Sequence, residues 1–242
     1  MSFEIRLAGV EDIPAIRAMA DVVFRRTYRD ILSAEQMEYM MDMMYSEESL
    51  RRQMGPEGNV FFLAEEPGCP AAGFEAGPGA EDQAGPGAVE SLAPPAERRQ
   101  AGLGAGQPSP AADEPLAGPA AGRHAGLGYA SVRPDGFMPD GRPRWHLEKL
   151  YVMPDAQRTG LGRALFERAL AAARALSCMP DNTPGSTSDN VPGGLRIELN
   201  VNRANPALGF YEHLGMRRDR QGDFPIGAGF YMNDYIMALD VK

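Results

Sequence analysis

Residues 145–176, WHLEKLYVMPDAQRTGLGRALFERALAAARAL, decide the fold. From His146 to Met153 the run is mostly apolar, carries the β-formers Tyr151 and Val152, and ends at Pro154, which predicts a strand. From there onward apolar residues recur at Leu161, Ala164, Leu165, Ala169, Ala172 and Leu176, the spacing of one helical face. Between strand and helix sits Gln157-Arg158-Thr159-Gly160-Leu161-Gly162. Glycines at 160 and 162 let the backbone turn its N–H groups toward one point at a helix start, an arrangement that suits a phosphate. It is not a P-loop, because Arg163-Ala164 follows Gly162 where Lys-Ser/Thr is required. The dinucleotide pattern GxGxxG also fails, with Leu165 in place of its third glycine.

Working outward, residues 3–7 alternate and predict a first strand. Asp12 and Pro14 predict a helix start, with Ile13, Ile16, Met19, Ala20, Val23 and Phe24 as its apolar face. Ser33-Ala34-Glu35-Gln36 has the capping-box form and opens a second helix whose stripe is Met37, Met40, Met41 and Met44. Ser46 starts a short third helix, and residues 60–65 read as a strand. The partner of that strand is read at residues 128–132, with Ala71-Ala72-Gly73-Phe74 as an alternative beginning. Between them, residues 67–126 hold 12 of the 28 glycines and 10 of the 21 prolines. Such a segment buries too little apolar surface to offset its ordering entropy, so a disordered insertion within one domain spanning residues 1–242 is expected. A shorter Pro/Asn/Ser/Gly-rich loop insertion is expected at 177–194. Residues 195–201 alternate as a strand, and 216–220 with 230–239 read as a closing antiparallel pair.

The order strand, (Q/R)xxGxG turn, helix resembles motif A of the GCN5-related N-acetyltransferase (GNAT) superfamily. Asn205-Pro206-Ala207-Leu208-Gly209-Phe210-Tyr211, closing at Leu214-Gly215-Met216, resembles its motif B, N-x-x-A-x-x-F-Y-x-x-x-G, with alanine one place early. The resemblance covers nearly all the chain outside the two insertions. It implies an α/β (α+β) GNAT fold: a mostly antiparallel twisted sheet, helices on both faces, and two central strands that diverge to hold acetyl-CoA. The backbone of Leu150, Tyr151 and Val152 is then expected to pair with the pantetheine arm, the Val152 N–H stabilising the oxyanion. The amides of Gln157, Arg158, Thr159, Gly160, Leu161 and Gly162, with Arg158 and Arg163, are expected to take the pyrophosphate, and Asn205 the pantetheine amides. Helix capping alone would also explain Asn205. Tyr211 matches the motif B tyrosine and is the candidate general acid, since a phenol is protonated at neutral pH. Core packing is the alternative for Phe210-Tyr211.

For the general base, strand alternation places His146, Glu148, Leu150 and Val152 on one face. His146 stands four residues before Leu150, where several family members carry a glutamate base, and Glu148 is the second candidate, acting through a water or holding a substrate cation. A buried, hydrogen-bonded histidine is the other reading of His146. Arg26, Tyr28, Met41 and the hairpin 229–235 are expected to border the acceptor. Asp234 and Glu148 could receive an ammonium, although carboxylates at strand ends are more often solvated.

The formal charge of −9 argues against a nucleic-acid-binding surface, and no apolar stretch is long enough to span a membrane. The opening Met1-Ser2-Phe3-Glu4 leads straight into a strand-like run, and Cys69 and Cys178 fall in loop-like sequence without metal or redox spacing. The expectation is a cytoplasmic enzyme with acetyl-CoA as cosubstrate, no metal and a small-molecule amine as acceptor; homodimers are frequent in the family. Acetylation of a protein, or a non-catalytic CoA-binding module, are the competing readings. Lysine occurs only at 149 and 242.

Overall fold

The computed structural model describes residues 2–68, 126–178 and 194–242. The expected insertions at 67–126 and 177–194, and the alternative strand start at Ala71–Phe74, lie almost wholly outside the described residues. In chain order the elements are β1 (Glu4–Ala8), α1 (Ile13–Tyr28), α2 (Ala34–Tyr45), α3 (Glu47–Met54), β2 (Val60–Glu65), β3 (Gly126–Phe137), β4 (Pro143–Val152), α4 (Leu161–Ser177), β5 (Leu195–Asn202), α5 (Leu208–His213), β6 (Arg217–Gly227) and β7 (Phe230–Val241).

The strands form a seven-stranded sheet in the order β1-β2-β3-β4-β5-β7-β6, antiparallel throughout except for β4 beside β5. Two cores flank it. On one face Ile13, Ile16, Met19, Ala20 and Phe24 of α1 join Met37 and Met40 of α2 and Leu50 of α3, against Phe61, Leu63 and Tyr129 of the sheet. On the other face α4 packs Leu161, Leu165, Phe166, Ala169 and Ala173 against Phe62, Ala64, Val132, Leu147 and Ile197. The methionine stripe of α2 is thus mainly core. The buried stripe of α4 runs through Phe166 and Ala173, leaving Leu176 40% exposed.

Caps differ in detail from their sequence signals. Ser33 accepts from the Gln36 N–H at 3.2 Å, but the Gln36 amide reaches across to the Tyr231 carbonyl instead of closing a capping box. Asp12 makes no cap at α1; its carboxylate accepts from the Gly9 N–H and pairs with Arg6 at 2.7 Å, tying β1 to the helix start.

The feature that positions the site is a fork. β4 and β5 pair only at Arg144↔Arg196, Trp145↔Ile197 and His146↔Glu198, although β4 continues to Val152 and β5 to Asn202. On the other side of β4 the register with β3 shifts: Ser131 faces Lys149 but Val132 faces Leu147, so Glu148 is an extra residue, a β-bulge. The bulge inverts the side-chain phase. Trp145 and Leu147 belong to the α4-side core before it, and Leu150 and Val152 after it. The expected common face for His146, Glu148, Leu150 and Val152 is therefore corrected: Leu150 and Val152 point away from the face that carries Lys149 and Tyr151, because one inserted residue resets a period of two.

Candidate active site

Within the fork the backbone of β4 has a defined polarity. The Met153 N–H donates to the Leu127 carbonyl at 2.8 Å, and Val152, Tyr151 and Leu150 face Gly128, Tyr129 and Ala130 in register. Antiparallel alternation then turns the N–H groups of residues 151 and 153 toward β3 and those of Leu150 and Val152 toward the gap, where no β5 residue pairs with them. Gly128 keeps the β3 side tight, since a Cβ there would lie 2.6 Å from the Tyr151 carbonyl oxygen.

The chain leaves β4 through a short turn at Pro154–Ala156 and reaches α4 with two residues in left-handed backbone, Arg158 (φ 63°) and Gly160 (φ 89°). Gly160 has open space around its Cβ position, so its role is conformational. Gly162 does the opposite: a Cβ there would meet the Phe210 ring at 3.2 Å. No side chain caps α4, so its first N–H groups face outward from the helix start, ready for an anion.

Fork and helix start open on one cavity of about 680 Å³. It gathers Glu148, Leu150, Tyr151, Val152, Gln157, Arg158, Gly160, Gly162, Arg163, Asn205 and Tyr211 of the residues expected from the sequence. Three others stand apart from its lining. Leu161 is 1% exposed and packs in the α4 core; the Thr159 hydroxyl donates to the Ala156 carbonyl at 2.6 Å; His146 lies further down β4, where the strands still pair. The Gln157 amide donates to the Val152 carbonyl at 3.2 Å, bracing the turn. Asn205 does not adjoin the first turn of α5 as a simple cap. Its Oδ1 accepts from the Ala207 N–H at 2.9 Å, immediately before α5, and the residue lines the cavity.

Sequence reasoning missed the β5 wall, Leu199, Asn200 and Val201, and much of α1, where Val23 and Thr27 join Tyr28. The alternation of residues 195–201 was legible, but which strand stands beside the cavity depends on the sheet order. Arg26 and the hairpin 229–235 are not on this cavity, and Met41 lines a separate one of about 380 Å³ between α1 and α2.

The electrostatics separate the candidate acid and bases. Burial, with the Tyr28 oxygen beside it, pushes the Tyr211 phenol above its ordinary range, so it holds its proton at neutral pH. His146 is driven down by burial, against the pull of the Glu148 carboxylate. Glu148 is pushed up by burial, but His146, Arg133 and Lys149 outweigh this and hold it ionised; Arg133 Nε donates to its Oε1 at 2.5 Å. Among the described residues no group of three His, Cys, Asp or Glu is arranged to hold a metal ion, and no helix is long and apolar enough to cross a membrane.

A forked parallel pair, amides free in the gap and a glycine-turned helix start, all on one cavity, are the features that the resemblance to motifs A and B implies. Comparison with known proteins agrees: residues 120–217 match the family model of the acetyltransferase (GNAT) domain. Among solved structures, the chain is similar to the PaiA N-acetyltransferase of Thermoplasma acidophilum in complex with coenzyme A, at 17% identity and a TM-score of 0.55, covering 99% of both chains. It is also similar to a GCN5-related N-acetyltransferase of Rhodopseudomonas palustris, at 14% identity and a TM-score of 0.57, covering 99% of this chain and 96% of that one. A third is the ribosomal-protein-S18-alanine N-acetyltransferase of Escherichia coli, at 15% and 0.51, covering 100% and 95%. No curated protein sequence matches the chain.

Proposed function

We propose that this protein transfers the acetyl group of acetyl-CoA to a primary amine of a small molecule, by direct attack within a ternary complex. One observation carries the reading: the gap-facing N–H groups of Leu150 and Val152 and the buried phenol of Tyr211 share one cavity with the uncapped start of α4. Acetyl-CoA fits this set. The outward amides of the 157–162 turn, with Arg158 and Arg163, suit its pyrophosphate; the β4 amides, with Asn205, suit the pantetheine arm. The thioester supplies the activated acetyl group. A β4 N–H, that of Val152, stabilises the oxyanion that forms as the amine attacks. Tyr211 then donates its proton to the departing thiolate. Of the two candidate bases, Glu148 has the better claim, because it lines the cavity and stays ionised; its ion pair with Arg133 makes proton collection through a water the natural route. His146 tunes the charge of Glu148 from beside it.

The test is thermal unfolding with acetyl-CoA, CoA, ATP and NAD, on the full chain and on Gly160→Glu. At saturating cofactor a stabilisation of about 5–10 °C is expected with the two CoA ligands alone. In Gly160→Glu it should vanish, because the side chain forces a left-handed position and places a negative charge at the helix start. An equal response to every nucleotide would defeat the reading. Acceptor-dependent CoA release then distinguishes an enzyme from a binding module, and a panel of free amines against peptide N-termini distinguishes small-molecule from protein acceptors.

A further inference from the structure

Two carboxylates near the fork are held in opposite ways. Glu198 is 2% exposed and spends both oxygens: Oε1 accepts from Arg196 Nε and Oε2 from Arg220 Nη2, each at 2.7 Å. Glu148, the candidate base on the cavity wall, spends one. Its Oε1 accepts from Arg133 Nε at 2.5 Å, and among the described residues its Oε2 accepts no hydrogen bond. An arginine fork can take both oxygens of a carboxylate, so the single bond calls for an explanation.

The explanation lies on β3. Arg133 commits its Nη1 to the Asp135 Oδ1 at 3.2 Å and to the Pro134 carbonyl at 3.3 Å. Asp135 is fixed in turn by Arg144 of β4, whose Nε stands 2.9 Å from Oδ2 and donates to the Asp135 carbonyl at 3.0 Å. A chain of ion pairs, Arg144–Asp135–Arg133–Glu148, thus runs along the β3–β4 hairpin to the cavity wall. Two irregularities of the sheet build it. Pro134 faces Trp145 but Phe137 faces Pro143, so Asp135 and Gly136 together stand opposite Arg144. This second extra residue, now on β3, lies three paired positions from the Glu148 bulge on β4. The two bulges set an acid on either side of the guanidinium between them.

Resting on the acetyltransferase reading above, we propose that Asp135 is a positioning residue for the general base. By engaging Arg133 from behind, it confines the guanidinium to one oxygen of Glu148 and leaves the other for the proton of the attacking amine. The amine nitrogen gives that proton through a water to Oε2; Glu148 becomes a neutral carboxylic acid, and Arg133 keeps its charge throughout. Without Asp135 the guanidinium is free to take both oxygens, and the carboxylate becomes a poorer base. The charged groups acting on Glu148, directly or through a neighbour, are Arg133 and Asp135 of β3 and His146 and Lys149 of its own strand. Glu198 of β5 acts beside His146, and Glu57 after α3 beside Lys149. From α1 the cavity receives Val23, Thr27 and Tyr28, none of them a carboxylate or a cation.

The experiment follows the Glu148 carboxyl directly, by carbon-13 NMR titration of the full chain labelled at its glutamate carboxyls, with and without CoA. Glu148→Gln assigns the signal. Asp135→Asn should lower the titration midpoint, and Arg133→Gln should raise it by about one pH unit or more. Asp135→Glu should return it close to the unmodified value. Direct repulsion between the two carboxylates would also give a fall in Asp135→Asn, so the double variant decides. With Arg133→Gln already in place, Asp135→Asn should move the midpoint by roughly half as much or less. Asp135→Ser repeats the comparison should Asp135→Asn not fold. With the best amine of the panel above, Asp135→Asn should lower kcat by ~3–10-fold and leave the KM for acetyl-CoA unchanged. A midpoint that Asp135→Asn leaves unmoved or raises, an equal shift with and without Arg133, or an unchanged kcat would overturn the proposal. Failure of CoA to stabilise the unmodified chain would instead defeat the cofactor reading, because the titration reports on Asp135 without turnover.

Discussion

Tyr211 shows how one side chain can serve packing and chemistry together. It is 9% exposed, meets the Phe210 ring edge-on at 5.3 Å and lines the cavity. The alternative of plain core packing and the assignment as general acid predict different outcomes for Tyr211→Phe. Packing alone predicts little change in turnover, because the ring is kept. As general acid, its loss should lower kcat by about 10²–10⁴-fold while acetyl-CoA still stabilises the fold, which initial rates and thermal unfolding would report side by side. The residue was legible because motif B fixes its distance from Asn205. Asp234 was legible only as an acidic residue near a strand end; its burial, at 4% exposed, comes with the pairing of β7 to β5, where Asn202 stands opposite it, which no local pattern encodes.

At the scale of elements, Lys149 ties β4 to α3. The residue is 3% exposed, and its ammonium donates to the Gln53 Oε1 at 2.6 Å and stands 5.6 Å from the Tyr45 ring centre. Burial lowers its pKa to about 8 from the ordinary 10.5, against the opposing charges of Glu148 and Glu57. Below pH 8 both folded and unfolded chains carry the charge, and the fold bears the full cost of burying it. Between pH 8 and 10.5 the folded amine is neutral while the unfolded one still holds its proton, so stability rises with pH by about 3 kcal/mol in total. Urea unfolding from pH 7 to 10 should show that rise in the unmodified chain and a flatter profile in Lys149→Met. The bulge that directs Lys149 to this face was not legible in the sequence. Residues 146–152 carry apolar and polar side chains in a run that fits either phase, and only the pairing with β3 reveals that Glu148 is supernumerary. By contrast the starts and apolar faces of α1 and α2 were legible, since their apolar stripes and the Ser33 and Pro14 start signals agree with one another.

For the molecule as a whole, the sheet joins residues far apart in sequence. Glu65 of β2 pairs with Gly126 of β3, so the two ends of the intervening chain are neighbours, and residues 66–68 are the length of an ordinary hairpin loop. Deleting residues 69–125 should therefore leave the fold and its CoA-dependent stabilisation intact; a shortened chain that no longer responds to CoA would mean that this segment contributes to the cleft. The sheet order as a whole, with β7 inserted between β5 and β6, could be expected from the sequence only through the family resemblance, because motif and periodicity give elements and not their neighbours.

The burial of Lys149 has a consequence for the proposed handling of a reactive thioester. Lys149 and Lys242 are its only lysines, and the first is locked beneath α3 with its amine bonded to Gln53. Nearly all its positive charge is carried by arginine, whose guanidinium keeps its proton at physiological pH and is a poor nucleophile. The chain thus presents almost no side-chain amine of its own to stray acyl transfer, from its own cleft or from free acyl thioesters around it.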